Sequence, residues 1–514
     1  MKFSMTPLEG QMDKAVLSQQ GVSRLKTKTV RAGTVTIMSQ AANFALYTIS
    51  TIVLGRLLGP ADYGLVGMVT AVTGFLAIFK DGGLSHATVQ RDVITHEQIS
   101  TLFWINLGLG MVLALVCAAL APALASFYRE PKLVGITLGL SGTFICGAAA
   151  VQHYALLRRE LRFKALAAID MAGTILGVGA GIVMAMGGMG YWALVGIPIV
   201  TVVIQTAGAW LALPWRPGPP HRGCDVQSLL RFGGLLTSTN AVNYCFRNLD
   251  NVLIGWRWGA GPLGLYQKAY SLLMLPISQV NFPLSSVAVS ALSRVQMDPV
   301  RLRRYFLAGY TIAASLIMPI VCVVAVFADD IILFMLGPKW SESVAVFRLL
   351  APAALIGALL NPLGWLYIAM GRSGRQFKIT CFWSALIILS FAGGLHFGAR
   401  GVATAYSAMS CVLAFPVLLY GVYGTPIRVR DMIVAVLRPA GSATLAGLSG
   451  LILKAWLPGS WPVGIRAIVG CSFVMGAYAF VLLVIMGQWH VYLDFFRQVT
   501  PGKQPSGRPG QMEV

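Results

Sequence analysis

The stretch RAGTVTIMSQAANFALYTISTIVLGRLLGPADYGL at residues 31–65 returns, 200 positions later, as RFGGLLTSTNAVNYCFRNLDNVLIGWRWGAGPLGL at residues 231–265. Without a gap, Arg31/Arg231, Gly33/Gly233, Ala41/Ala241, Asn43/Asn243, Gly55/Gly255, Gly59/Gly259, Gly64/Gly264 and Leu65/Leu265 are identical. That is eight matches in 35 positions, where composition alone gives roughly two or three. Most matches are glycine or polar, so they do not reflect a shared apolar composition. Two related halves within one hydrophobic chain are a common plan of transporters, with the substrate site between the halves.

The composition excludes an ordinary soluble protein: 56% of residues are hydrophobic and 11% charged, against about a quarter charged in soluble chains. Apolar runs of about 20 residues suffice to cross a bilayer. They recur at 31–54, 64–83, 100–125, 133–155, 166–187, 190–214, 230–256, 265–292, 304–328, 341–369, 378–397, 401–421, 433–457 and 462–487. The expectation is an all-α polytopic membrane protein of about fourteen helices.

Basic residues orient it. With the N-terminus in the cytoplasm, the inner segments carry 28 Lys and Arg and the outer ones nine, as the positive-inside bias requires. Both termini are then cytoplasmic, and the net charge of +21 reflects topology and attraction to anionic lipid rather than a nucleic-acid partner. Residues 1–30 lack the apolar core of a cleavable signal. The eight cysteines form no C-x-x-C pair, so neither a disulfide framework nor a metal site is implied.

The repeats start six spans apart. An even number keeps their orientation, so they are related by an axis along the membrane normal. The expected division is a cytoplasmic segment 1–30, an N-lobe 31–215, a cytoplasmic linker 216–230, a C-lobe 231–425, an added helix pair 426–490 and a tail 491–514, disordered by its Pro, Gly and Ser content.

The first helix of each lobe carries a polar stripe: Gln40, Asn43, Tyr47, Ser50 and Thr51 in one, Asn240, Asn243, Arg247, Asp250 and Asn251 with Tyr244 in the other. Steps of three and four place these on one helix face, which faces either a partner helix or an aqueous cavity. Arg247 offers a planar fork of donors suited to phosphate; it binds substrate or is neutralised by Asp250. Lys268 extends the positive surface or snorkels to the interface, and Arg348 has the same ambiguity. Asp250 and Asp170 are the candidates for a coupling proton or sodium ion, though Asp170 would serve equally as a hydrogen-bond partner. No other cofactor and no metal is implied. Prolines at 198, 276, 283, 319, 352, 362 and 416 interrupt spans and are expected to bend them. The pairs Gly55/Gly59 and Gly255/Gly259 serve close helix approach or tight outer turns.

Residues 54–64 (LGRLLGPADYG), together with 264–273 (GLYQKAYSLL), Pro276, Phe282-Pro283 and Leu292-Ser293-Arg294, resemble the polysaccharide-transport (Wzx-type) flippases of the multidrug/oligosaccharidyl-lipid/polysaccharide exporter superfamily. The resemblance covers roughly residues 30–425 and implies two six-helix lobes. It further implies translocation of a polyprenyl-diphosphate-linked oligosaccharide across the bacterial inner membrane by alternating access, for exopolysaccharide, capsule or lipopolysaccharide synthesis. Arg247 and Lys268 would face the diphosphate, and Asn240, Asn243, Tyr244, Asn251, Gln40, Asn43 and Tyr47 the sugars. Polysaccharide polymerase and export machinery are the expected partners. The nearest rival is a cation-coupled multidrug antiporter of the same fold, which should line its cavity with carboxylates. A membrane glycosyltransferase or polymer ligase is disfavoured, because the short outer loops show no recurring catalytic spacing of carboxylates. The absence of a glycine-rich nucleotide loop with Lys-Ser/Thr speaks against ATP-driven transport by this chain alone.

Overall fold

A computed structural model of the chain describes residues 40–80, 85, 88, 94–221 and 227–489. The N-terminal segment 1–30 and the tail 491–514 lie outside the described residues, as does the start of the first expected span. Among the described residues there is no strand, and eleven stretches are long and apolar enough to cross a membrane.

In chain order the helices are α1 (residues 40–57), α2 (Pro60–Phe79), α3 (His96–Tyr128), α4 (Lys132–Arg159), α5 (Phe163–Met186), α6 (Tyr191–Ala212), α7 (Gln227–Trp258) and α8 (Ala260–Arg294). There follow α9 (Pro299–Met335), α10 (Ser343–Leu360), α11 (Pro362–Ala369), α12 (Ser373–Gly394), α13 (Gly398–Val422), α14 (Val429–Trp456) and α15 (Val463–Phe480). One spanning stretch, Gly374–Val422, joins α12 and α13. The helix α7 is not among the eleven, because Asn, Arg and Asp side chains recur along it.

Local chemistry explains where these helices start. The α2 helix begins ahead of the expected 64, because Pro60 presets the first turn and the Gly59 N–H donates to Asp62 Oδ2 at 2.9 Å. At α3 a capping box moves the start ahead of residue 100: Gln98 N–H donates to Thr95 Oγ1 at 3.3 Å and Thr95 N–H to Gln98 Oε1 at 3.1 Å. The paired glycines divide their labour. Gly259, with φ 82°, makes the turn into α8, which only glycine adopts without cost. Gly55 and Gly255 provide close approach: a Cβ would stand 2.6 Å from Leu336 Cδ2 at the first and 3.0 Å from Tyr128 Cε1 at the second.

Of the expected proline bends, Pro362 stands at a true helix break, after Asn361. The long α9 departs from helical geometry not at Pro319 but at Phe327 (φ −106°, ψ 24°). The connection after α6 is not a free tether. Trp104 Nε1 donates to the Gly218 carbonyl at 2.8 Å, Gly218 N–H to Ser100 Oγ at 3.0 Å, and His221 N–H to Thr101 Oγ1 at 3.1 Å. It therefore runs along the first turns of α3, and α7 then begins ahead of the expected 230.

The chain divides into two compact units, Met1–Gln267 with Met335–Lys339, and Lys268–Phe334 with Trp340–Val514. Within the second, the added pair α14–α15 is fastened to α9 at several levels. Arg303 grips Asp431 with two hydrogen bonds of 2.8 and 2.7 Å. Tyr478 donates to the Ser315 carbonyl at 2.9 Å, beside a core of Phe327, Ala446 and Val474. Lys454 Nζ lies 2.6 Å from Asp329 Oδ2, which Arg348 also contacts, and Arg466 Nη2 lies 3.0 Å from Asp330 Oδ1. Asp330 is 4% exposed, and removing one partner of a buried ion pair costs about 3–5 kcal/mol. Asp330→Ala is therefore expected to lower the midpoint of thermal unfolding in detergent by several degrees. An unchanged midpoint would remove this pair from the account of how α15 is held.

Candidate functional site

The polar stripes change character along their helices. In α1, Ser50 and Thr51 are buried, Gln40 and Asn43 are half-buried, and Tyr47 is 49% exposed. In α7, Asp250 is buried, Asn243, Tyr244 and Asn251 are half-buried, and Arg247 is exposed. In both repeats the stripe is packed toward the helix C-terminus and accessible toward its N-terminal half. The side chain of Asn240 lies outside the described residues.

Of the two readings of Arg247, neutralisation by Asp250 does not form; the carboxylate pairs elsewhere. Asp250 Oδ2 accepts from the Tyr266 hydroxyl at 2.8 Å and Oδ1 from the Asn251 N–H at 2.7 Å. Tyr266 opens the first turns of α8 and is itself 1% exposed. The carboxylate is thus satisfied by a neutral phenol and backbone, and Arg247 forms no ion pair among the described residues. Tyr244 is committed elsewhere: its hydroxyl donates to the Thr70 carbonyl at 3.0 Å, and its hydroxyl end occupies the space a side chain at Gly74 would need. Lys268, expected at the interface or on the substrate surface, is only 8% exposed. Arg348 is held by Asp329. Two stripe oxygens, Asn43 Oδ1 and Asn251 Oδ1, are buried without a hydrogen bond among the described residues.

Asp170 belongs to a second polar cluster, within the first unit. Tyr154 on α4 donates to its Oδ1 at 2.8 Å and Gln205 Nε2 on α6 to the same oxygen at 3.2 Å. Gly173 makes this possible, because a Cβ there would stand 2.7 Å from Gln205 Cγ. Beside the cluster lies a cavity of about 220 Å³ lined by Lys80, Ser85, Gly147, Tyr154, Arg158, Gln205 and Thr206, among others. Sequence reasoning singled out Asp170 but not these neighbours. Their signal was slight: Tyr154 and Arg158 one turn apart, and Gln205-Thr206 inside an otherwise apolar helix.

Residues 53–345, from α1 into α10, match the family described as polysaccharide biosynthesis protein. The chain belongs to this family. The lipopolysaccharide biosynthesis protein WzxC of Escherichia coli (strain K12) is 25% identical over 414 residues, which is 79% of this chain and 83% of that protein. The teichuronic acid biosynthesis protein TuaB of Bacillus subtilis (strain 168) is 27% identical over 380 residues, 73% of this chain and 76% of that protein. Among solved structures, the lipid II flippase MurJ in an inward closed conformation superposes with a TM-score of 0.71 at 12% identity, covering 91% of this chain and all 100% of that one. An inward-facing multidrug resistance MATE family transporter of the MOP superfamily gives 0.61 at 16% identity, over 76% and 94%. These likenesses are of fold, and they agree with the superfamily resemblance in the sequence. The protein is a multi-pass α-helical membrane protein of the polysaccharide biosynthesis family.

Proposed function

We propose that the protein is a flippase that carries a polyprenyl-diphosphate-linked oligosaccharide from the cytoplasmic to the outer leaflet of a bacterial inner membrane, supplying surface-polysaccharide synthesis. The observation that carries this reading is the combination of a polysaccharide biosynthesis family match with the fold of a lipid II flippase. Curated relatives of comparable coverage bear lipopolysaccharide, teichuronic acid and succinoglycan names, which favours this over the multidrug antiporter sharing the fold. The protein is a transporter and not an enzyme, with both termini in the cytoplasm and polysaccharide polymerase and export machinery downstream.

The chemistry fits the stripes. Amides, phenols and hydroxyls suit a glycan, and an arginine without an ion pair among the described residues suits a diphosphate. A long prenyl tail needs no polar partner and stays in lipid. Asp170 is assigned to a coupling proton or sodium ion in preference to Asp250, because its carboxylate stands beside a cavity while Asp250 is enclosed. Deletion of the gene is expected to abolish the surface polymer and to raise the cytoplasmic-leaflet pool of lipid-linked repeat unit, measured by extraction and mass spectrometry. A deletion strain with intact polymer and no such pool, and with no second copy of the gene, would overturn the flippase reading.

A further inference from the structure

We propose that Arg372 and Arg375 form a binding site for the phosphate of an anionic phospholipid, at the end of the second unit where α12 begins and α13 finishes. The side chains carry the inference. The proposed topology decides only that the leaflet concerned is the cytoplasmic one.

The α12 helix starts at Ser373, so Arg372 and Arg375 stand three positions apart across its first turn, a spacing that puts both on one side. Facing them, α13 ends at Val422 and leaves carbonyls that its own helix cannot satisfy. Arg372 Nη1 donates to the Gly424 carbonyl at 2.8 Å, and Arg375 Nη1 donates to the Tyr423 carbonyl. The Tyr367 hydroxyl donates to the Gly421 carbonyl at 2.9 Å. The Arg375 guanidinium also lies over two rings, 5.5 Å from that of Tyr420 and 5.9 Å from that of Tyr423.

Capping a helix end accounts for one such arginine, but two converge here. Arg372 Nη1 and Arg375 Nη2 stand 3.7 and 3.9 Å from a single point, the place a Cβ on Gly424 would take. Gly424 has φ 67°, which side chains disfavour, so that point stays open. A guanidinium carries five N–H donors, and each arginine spends one on a carbonyl. The remaining donors have no partner among the described residues, and stacking on the tyrosines holds the Arg375 fork in place. The two acids of the neighbouring connections are already taken: Arg303 grips Asp431, and Arg301 lies 3.3 Å from Asp298.

The surroundings favour a lipid headgroup over a free anion. Residues 294–304, 370–378 and 423–431 hold nine Lys and Arg against two Asp, and basic clusters beside spanning helices attract anionic headgroups. Tyr420 and Tyr423, which flank Arg375, are 48% and 72% exposed. Exposed tyrosines of membrane proteins gather at headgroup depth, where the phosphates of the leaflet lie.

The full-length protein, in a non-ionic detergent, would be titrated calorimetrically with dioctanoyl phosphatidylglycerol, dioctanoyl phosphatidylcholine and inorganic phosphate. Phosphatidylglycerol should bind several-fold tighter than either of the others. Arg372→Gln and Arg375→Gln should each weaken its binding by about tenfold or more. Arg375→Lys, which keeps the charge without the fork, should weaken it less. Arg304→Gln is the control, since that exposed arginine at the same end lies over the single ring of Tyr305, at 5.8 Å; it should leave the affinity unchanged. Equal weakening by Arg304→Gln would reduce the effect to diffuse charge and overturn the site. Equal affinity for phosphatidylcholine or for inorganic phosphate would overturn the anionic-lipid assignment. Unfolding midpoints are measured alongside, because both arginines also cap α13. Arginines that only cap would lower the midpoint and leave the affinity of the folded protein at the parent value, which would again overturn the site. If Arg375→Gln does not fold, Arg372→Gln and Arg375→Lys still decide. None of these outcomes depends on transport, so failure here leaves the flippase reading standing, and the deletion strain tests that reading separately.

Discussion

Alanine at Gly64 or at Gly264 is expected to cut polysaccharide export about tenfold or more without loss of folded protein. The two glycines are equivalent positions of the internal repeat, and so are Pro60 and Ala260. The structure brings them together reciprocally: a Cβ on Gly64 would overlap the carbonyl of Ala260, and a Cβ on Gly264 would overlap the carbonyl of Pro60. Exchange of contacts between equivalent positions is what a two-fold relation between the repeats produces, here where the first turns of α2 and α8 cross. The obstruction is backbone, which cannot swing aside as the end of a side chain can.

Overpacking of this kind costs about 1–3 kcal/mol, which shifts a two-state equilibrium roughly 5- to 150-fold. An alternating carrier that must form this crossing once per cycle would lose that factor in the population of the crossed state. Because both alanines disturb one contact, the double variant is expected to cost less than the sum of the two singles. An independent readout is Thr51→Cys, at a buried position in the C-terminal half of α1. Its labelling by a membrane-impermeant maleimide should accelerate when Gly64→Ala is added. Wild-type export and unchanged labelling in both single variants would sink the idea that the crossing is a moving part.

Much of this arrangement was legible in the chain itself. Hydropathy is summed over many positions, so it survives local error, and the helices described fall where the apolar runs lie. Boundaries moved where a specific side chain acted, as Thr95 and Gln98 do at α3. The polar stripes were also legible, because spacing alone fixes which residues share a helix face. Partner choice was not. Arg247 and Asp250, three positions apart, are positioned to meet on one helix, yet the carboxylate takes Tyr266 from the following helix. Such competition depends on how α7 and α8 pack, which no spacing rule encodes. The cavity beside Asp170 escaped for the same reason, since its lining comes from helices far apart in sequence.

That unexpected partner sharpens the expectation for Arg247→Ala, which should reduce export by about ten- to a hundredfold. Hydrogen bonds to charged groups contribute about 1.5–3 kcal/mol, and the Arg247 guanidinium forms no ion pair among the described residues. Had it neutralised Asp250, its removal would strand a buried charge and cost about 3–5 kcal/mol of stability, so lost export would be indistinguishable from lost protein. With Tyr266 and the Asn251 N–H already satisfying Asp250, the alanine variant should reach the membrane at the parent level and unfold at the parent temperature. Arg247→Lys retains a point charge but not the two-pronged geometry, and should recover part of the export. The decisive comparison is between Arg247→Ala and Tyr266→Phe. The first should impair export at normal stability, and the second should lower stability by leaving an acceptor of Asp250 unfilled. If instead Arg247→Ala is the variant that unfolds early, the arginine is structural, and the diphosphate must be held elsewhere.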